Sequence, residues 1–351
     1  LTMTEFELIG HYFGAWARGV HGAARDGLPL QSFCPDQRVQ LGIGDDCAMV
    51  RLDERDSLVV SVDTQVEGRH FPRSCAPAHV ASRALGAAVS DLAAMGAEPI
   101  GCWLALTLPS AVGTWLEAFS LEFRRLTELW NVPLLGGDTT AGPLQVSITV
   151  LGRVETAKAL RRGAARAGDD LWVSGCLGEA SAALAFLEND SSVSLSAVSA
   201  GIGTDSRECL LHRYHHPEPR LALGRWLLGR ASAAIDISDG LLADLGHLCA
   251  ASGIGARLDL EALPVSDALR AAAGLEKARH FMLQGGDDYE LCFAAPVDQR
   301  DCIGESGWDV WRIGQFTSDL DILICHNGSC SLAVPEGFDH FRPTPRPGEA
   351  S

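Results

Sequence analysis

Six short motifs set aspartate beside glycine or where an apolar, strand-length run stops: Gly44-Asp45-Asp46, Val62-Asp63-Thr64, Ser90-Asp91-Leu92, Gly137-Asp138-Thr139, Asp236-Ile237-Ser238-Asp239-Gly240 and Gly286-Asp287-Asp288. Around them, apolar periodicity predicts helices over 3–20, 78–95, 114–130, 179–187, 219–228 and 241–251. It predicts strands over 58–63, 99–108, 132–135, 144–154, 170–174, 233–237, 256–260, 289–294 and 308–313. The second series starts after an interruption near 155–168, rich in arginine and small residues, and the polar stretch 189–206 reads as a surface loop. Two layered α/β domains are therefore expected, residues 1–158 and 159–351, a division that suits a chain of 351 residues.

Taken singly, an aspartate after a strand is a turn or N-cap residue, its carboxylate accepting backbone N–H groups. Asp239, just before a helical run, is the clearest cap of this kind. Taken together, the motifs suggest more. Strand ends hold carboxylates at the open edge of a sheet, where α/β proteins bind ligands, and glycine lets backbone approach a phosphate. Several carboxylates on one edge repel unless cations lie between them, and hard oxygen donors suit Mg²⁺ bridged to phosphate. The pattern points to several Mg²⁺ ions gripping a polyphosphate. It also reconciles an anionic ligand with a chain of 28 basic and 45 acidic residues, net −17.

Other classes fall away. The acidic balance argues against nucleic acid as a partner. No apolar run is long enough to span a membrane, and Met3, Glu5 and Glu7 do not open like a signal peptide, so a cytoplasmic protein is expected. Eleven scattered cysteines without a C-x-x-C read as small buried thiols, not a disulfide framework or zinc ribbon; the nearest late pair is Cys325 and Cys330. The only lysines, Lys158 and Lys277, lie outside any glycine-rich loop, so the P-loop mechanism is absent and arginine must meet phosphate. Arg161 and Arg162 at the boundary are phosphate clamps or a solvated pair; His70 and Phe338 are ligand contacts or ordinary packed side chains.

At these residues the chain resembles the thiamine-monophosphate kinase family. The matching segments are Leu-Gly-Ile-Gly-Asp-Asp-Cys-Ala (41–48), Val-Asp-Thr with Gly-Arg-His-Phe (62–71), Ser-Asp-Leu-Ala-Ala-Met-Gly-Ala (90–97) and Gly-Gly-Asp-Thr-Thr (136–140). In the second half they are Ile-Asp-Ile-Ser-Asp-Gly-Leu (235–241), Asp-Leu-Gly-His (244–247), Gly-Gly-Asp-Asp-Tyr-Glu-Leu (285–291) and Gly-Phe-Asp-His-Phe (337–341). The resemblance implies the aminoimidazole ribonucleotide synthetase-like fold. Its N-terminal sheet would pair across a homodimer into a barrel, with a C-terminal α/β sandwich packed beside it. It further implies phosphorylation of thiamine monophosphate to thiamine diphosphate by ATP with Mg²⁺.

Carried over by position, Asp46, Ser61, Val62, Asp63, Asp91, Asp138, Asp236 and Asp239 correspond to the metal site. Gly137, Asp138, Arg162 and Ser238 correspond to ATP contacts, and His70, Asp287 and Phe338 to substrate contacts. Family members commonly carry threonine where this chain has Val62, which leaves only a backbone carbonyl there, and often glutamate where it has Asp287. The competing readings are another ATP-dependent synthetase of the same fold and a noncatalytic nucleotide-binding relative. Against the selenophosphate enzyme, Cys34 and Cys47 lack a lysine neighbour.

Overall fold

The structure, a computed structural model, describes residues 9–14, 38–41, 49–187 and 204–334. Asp46, Phe338 and most of 189–206 lie outside the described residues. Strands β1 (Val39–Leu41) and β2 (Met49–Val50) form a short antiparallel ladder. The first main sheet contains β3 (Asp56–Val66), β4 (Glu98–Leu108), β5 (Leu134–Ala141) and β6 (Gln145–Glu155), in the order β3-β6-β4-β5. β4 and β5 run parallel, and the other pairs are antiparallel.

Alternation along the strands gives this sheet two unlike faces. Val146, Ile148, Val150, Leu104 and Leu106 are buried with helices α1 (Pro77–Ala94) and α2 (Gly113–Leu129). The other face leaves Leu58, Val60 and Val62 of β3 at 43%, 53% and 63% exposure. α1 starts with Pro77 in its first turn, where a missing N–H costs nothing, and its alanine-rich sequence favours helix. Every residue from Val80 to Ser90 is buried, because small side chains let both neighbouring cores close around it. It stops at Gly96, whose φ of +66° provides the left-handed turn.

The second sheet holds β7 (Asp170–Ser174), β8 (Ala233–Ile237), β9 (Gly255–Asp259), β10 (Glu290–Ala295), β11 (Val310–Thr317), β12 (Ile322–His326) and β13 (Ser329–Leu332). Its order is β13-β12-β9-β11-β7-β10-β8, antiparallel except for β9 beside β12. The helices of this half are α3 (Glu179–Leu187), α4 (Thr204–His215), α5 (Leu221–Leu227), α6 (Leu241–Ser252), α7 (Asp267–Gln284) and α8 (Arg300–Gly304). α3, α4, α6 and α7 cover one face. On the other face Trp172, Ala234, Leu291 and Phe293 meet Leu223 and Leu227 of α5, Ile303 of α8, and Ala93 and Ala94 of α1. α1 thus belongs to both cores. At its end it lies so close to α5 that a Cβ on Gly224 would stand 2.0 Å from the Ala93 carbonyl oxygen, so only glycine fits there.

Several boundaries differ from the sequence reading. β5 runs on through Gly136-Gly137-Asp138-Thr139-Thr140 because its pairing with β4 continues to Ala141. α4 begins inside the stretch read as loop, and α7 and the β12–β13 hairpin were not predicted. α7 carries Gly274 at φ +70°, which breaks its periodicity. The cysteine expectation also needs correction: Cys325 and Cys330 are directly opposed in the β12–β13 ladder and form a disulfide. Cys75, Cys102, Cys176, Cys209, Cys249, Cys292 and Cys302 are free thiols. No helix among the described residues is long and apolar enough to cross a membrane.

Candidate active site

Where the C-terminal sheet docks on α1, a cleft of about 360 Å³ opens, lined by Asp63, Asp91, Asp236, Asp239 and Asp287. β3 supplies Asp63, α1 supplies Asp91, and the end of β8 supplies Asp236 and Asp239. One contact ties the halves together here, Ser90 Oγ donating to Asp236 Oδ2 at 2.7 Å, and within the N-terminal half Ser61 Oγ donates to Asp91 Oδ2. Asp63 is steadied by Gln65 Nε2 at 3.2 Å. The cluster is electrostatically costly. Burial, reinforced by the Asp91 charge, pushes Asp236 up to about 7. Burial also raises Asp91, with the Asp63 charge adding to it, and burial raises Asp63. Arg162 lies close enough to lower both Asp91 and Asp236, although it does not line the cleft.

Asp239 is not the N-cap its position suggests. The cap of α6 is Gly240, at φ +116°, with no side-chain hydrogen bond. Asp244, one turn into the helix, instead reaches back and accepts from Ser238 N at 3.0 Å and Asp239 N at 3.1 Å. Burial, then the charges of Asp236 and Asp239, drive Asp244 up to about 8. The reversed cap leaves Asp239 and Ser238 on the cleft wall. Against this turn packs the loop before β10: Asp287 N donates to Ser238 O and Tyr289 N to Ile237 O, each at 2.8 Å. A Cβ on Gly286 would lie 2.4 Å from Ser238 O, which explains the glycine. Asp287 at φ +70° and Tyr289 at φ +52° hold left-handed backbone that ordinary residues avoid.

The opposite wall rests on Arg83, which sequence reading passed over. Arg83 is 1% exposed in the middle of α1. Its guanidinium donates to Tyr214 O at 2.7 Å, His70 O at 3.1 Å and Asp287 Oδ1 at 3.0 Å, and it stacks 3.9 Å above the Tyr214 ring. Burial alone would favour neutrality; Asp287 and the neighbouring tyrosines reverse that and hold Arg83 charged. The signal was present: an arginine among Ala, Ser, Leu and Gly has no polar helix face to occupy. His70 lines the cleft, and its Nδ1 accepts from Val66 N at 2.9 Å, so the neutral ring carries its proton on Nε2. Tyr289 Oη donates to Asp287 Oδ1 at 3.2 Å.

Gly137 and Asp138 do not join this group within the chain. Asp138 shares its register row with Ala105, Ser147 and Thr64, on the sheet face away from the helices and at the edge opposite β3. Its carboxylate accepts from Thr139 N at 2.9 Å. Val62 lines the cleft although its side chain belongs to the exposed face.

Residues 44–154 match the family model described as AIR synthase related protein, N-terminal domain, and residues 166–324 match its C-terminal domain counterpart. A thiamine-monophosphate kinase of Salmonella typhimurium is 42% identical over 342 residues, covering 96% of this chain and 98% of that protein. The crystal structure of thiamine-monophosphate kinase from Stenotrophomonas maltophilia superposes with a TM-score of 0.76 at 42% identity, over 85% of this chain and 93% of that one. The chain belongs to the thiamine-monophosphate kinase family. A further solved structure, AaThiL complexed with AMPPCP and TMP, matches at a TM-score of 0.72 and 28% identity over 83% of this chain and 89% of that one. For a thiamine-monophosphate kinase family member the cleft has fitting chemistry. Its donors are hard oxygens, raised first by burial and then by neighbouring carboxylate charge, a set whose negative charge a divalent cation would offset.

Proposed function

We propose that this chain transfers the γ-phosphoryl group of ATP to the phosphate of thiamine monophosphate, giving thiamine diphosphate and ADP. The observation that carries the reading is the meeting of Asp91 and Asp236, from opposite halves of the chain, in one cleft beside Arg162. The acceptor phosphate is already a nucleophile at neutral pH, so no general base is required and no residue takes that role. What the chain must supply is alignment and charge neutralisation.

Asp63, Asp91, Asp236 and Asp239 would hold Mg²⁺, with Ser61 orienting Asp91 and Val62 offering a carbonyl. Mg²⁺, when bound, offsets the repulsion between two phosphate anions. Arg162 and Ser238 bind ATP phosphates. His70 offers Nε2–H to the substrate, and Asp287, locked by Arg83, meets the cationic or amino part of thiamine. By the family resemblance, Asp46 joins the metal ligands and Phe338 the substrate contacts.

We assign residues 1–158 to an ATP- and metal-binding, dimer-forming domain and 159–351 to the C-terminal domain. The exposed Leu58, Val60 and Val62 face supports a homodimer in which two four-stranded sheets close into a barrel. Gly137 and Asp138, on the far edge strand, take their nucleotide and metal roles in that assembly rather than within one chain. Use of ATP as co-substrate supports a cytoplasmic location for the reaction.

Incubation with ATP, Mg²⁺ and thiamine monophosphate should yield equal amounts of ADP and thiamine diphosphate. ADP release without thiamine diphosphate would overturn the substrate assignment.

A further inference from the structure

Behind the Arg83 wall lies a second group of ligand-type side chains that the phosphoryl-transfer chemistry does not use. Cys75 precedes α1, His79 sits in its first turn, and His215 closes α4. One donor atom from each, the Cys75 sulfur and a ring nitrogen of each histidine, lies within 4.8 Å of the other two. The His79 and His215 rings stack with centroids 3.9 Å apart, and His216 meets His79 edge-on at 5.2 Å. His215 Nδ1 is buried and has no hydrogen-bond partner, an expensive state for a ring nitrogen. His216 is occupied otherwise, its Nδ1 lying 3.2 Å from Ser82 Oγ.

We propose that Cys75, His79 and His215 form a binding site for a zinc-type divalent cation, separate from the acidic cleft. One thiolate and two imidazoles are soft and borderline donors, the set that zinc takes and Mg²⁺ refuses. Three protein ligands leave the fourth tetrahedral position to water. As the Zn–S bond forms, the Cys75 thiol gives its proton to solvent, and the resulting thiolate offsets the charge of nearby Arg83. The donors must close by about an ångström to reach ordinary zinc distances, a shift that draws the end of α4 onto the start of α1. Tyr214, next to His215, is the residue on which Arg83 stacks. The bound cation therefore fastens the two halves of the chain behind the substrate wall.

The test uses the full chain, stripped of metal and then held in saturating Mg²⁺ so that the acidic cleft is filled. Equilibrium dialysis against Zn²⁺ should show one tight equivalent per chain, and thermal unfolding should shift upward with added Zn²⁺. Co²⁺ in its place should give the intense tetrahedral visible bands and a thiolate-to-cobalt charge-transfer band. Cys75→Ser and His215→Gln should each lose the one-equivalent step, the thermal shift and, for Cys75→Ser, the charge-transfer band. Cys209→Ser/Cys302→Ser, which removes exposed thiols elsewhere, should keep all of them. A wild-type chain without tight Zn²⁺ binding or a thiolate–cobalt band overturns the proposal without recourse to any variant. So does a Cys75→Ser protein whose binding and spectrum match the wild type.

Discussion

Arg83 Nη2 lies 3.0 Å from Asp287 Oδ1, joining residues 204 positions apart in the chain. The pair is unevenly exposed, 1% on the arginine and 25% on the aspartate. Arg83 is thus the buried anchor, and Asp287 is the end that faces the cleft. A carboxylate held this way, on left-handed backbone and with Tyr289 Oη on the same oxygen, is pre-aimed at a ligand before one arrives.

Arg83→Met should destabilise the chain by about 3 kcal/mol, since it removes three hydrogen bonds and leaves Asp287 without its counter-charge. Urea unfolding checks the loss. Tyr289→Phe, which removes only the Asp287 contact, should cost about 1 kcal/mol or less. Equal losses in the two variants would show that Arg83 is not the anchor.

Asp91→Asn and Asp236→Asn should each lower turnover by roughly 100-fold or more, while the fold survives. Without Mg²⁺ both variants should melt at or above the wild-type temperature, because each substitution removes a buried carboxylate and its repulsion with neighbouring aspartates. Calorimetry with and without Mg²⁺ decides it. Variants that melt well below wild type in the absence of metal would mark these aspartates as structural.

Glu290 is fully buried, yet Arg220, Arg213 and Ser174 all reach it. Burial raises its proton affinity, but the hydrogen bond and charge of Arg220, with Arg213 and Ser174, outweigh burial and hold it below the ordinary glutamate value of 4.5. A depressed carboxylate contributes stability that is complete above 4.5 and disappears as pH falls through its folded-state value. Urea midpoints measured from pH 7 to pH 3 should fall more steeply for wild type than for Glu290→Gln. Parallel curves would remove Glu290 from the acid response.

Gly286→Ala places a methyl 2.4 Å from Ser238 O, a backbone atom that cannot step aside without moving the Ser238-Asp239 turn. The expected cost is about 1–3 kcal/mol, with a rise in KM for both substrates. Crystallography of the variant should show the turn displaced; an unmoved turn with normal kinetics would contradict the close packing.

Much of this was legible in the chain. The strands at 170–174 and 233–237 and the helix at 179–187 were placed to the residue, because each is a short apolar run bounded by polar or glycine punctuation. Asp63, Asp91, Asp236 and Asp239 were found from the recurrence of short aspartate motifs and they do line one cleft, although Asp63 lies inside β3, which runs on to Val66 rather than stopping there, and Asp91 lies within α1. What local pattern cannot give is which face a residue takes once a strand lengthens. Asp138 falls away from the cluster because β5 continues through it and turns its side chain to the open face. Asp239 misled for a related reason: the capping role passed to Asp244, a residue inside the helix. The Cys325–Cys330 bond depends on a hairpin register that no spacing rule announces.

Because α1 is buried from Val80 to Ser90 and clasped by both cores, it works as a ruler. Arg83 and Asp91 stand eight positions apart on it, about 12 Å along the axis and just over two turns around it. In the proposed reading, that interval sets how far the organic end of the substrate sits from its phosphates. A single inserted residue would swing one mark about 100° away from the other, so the helix admits changes of side chain but not of length.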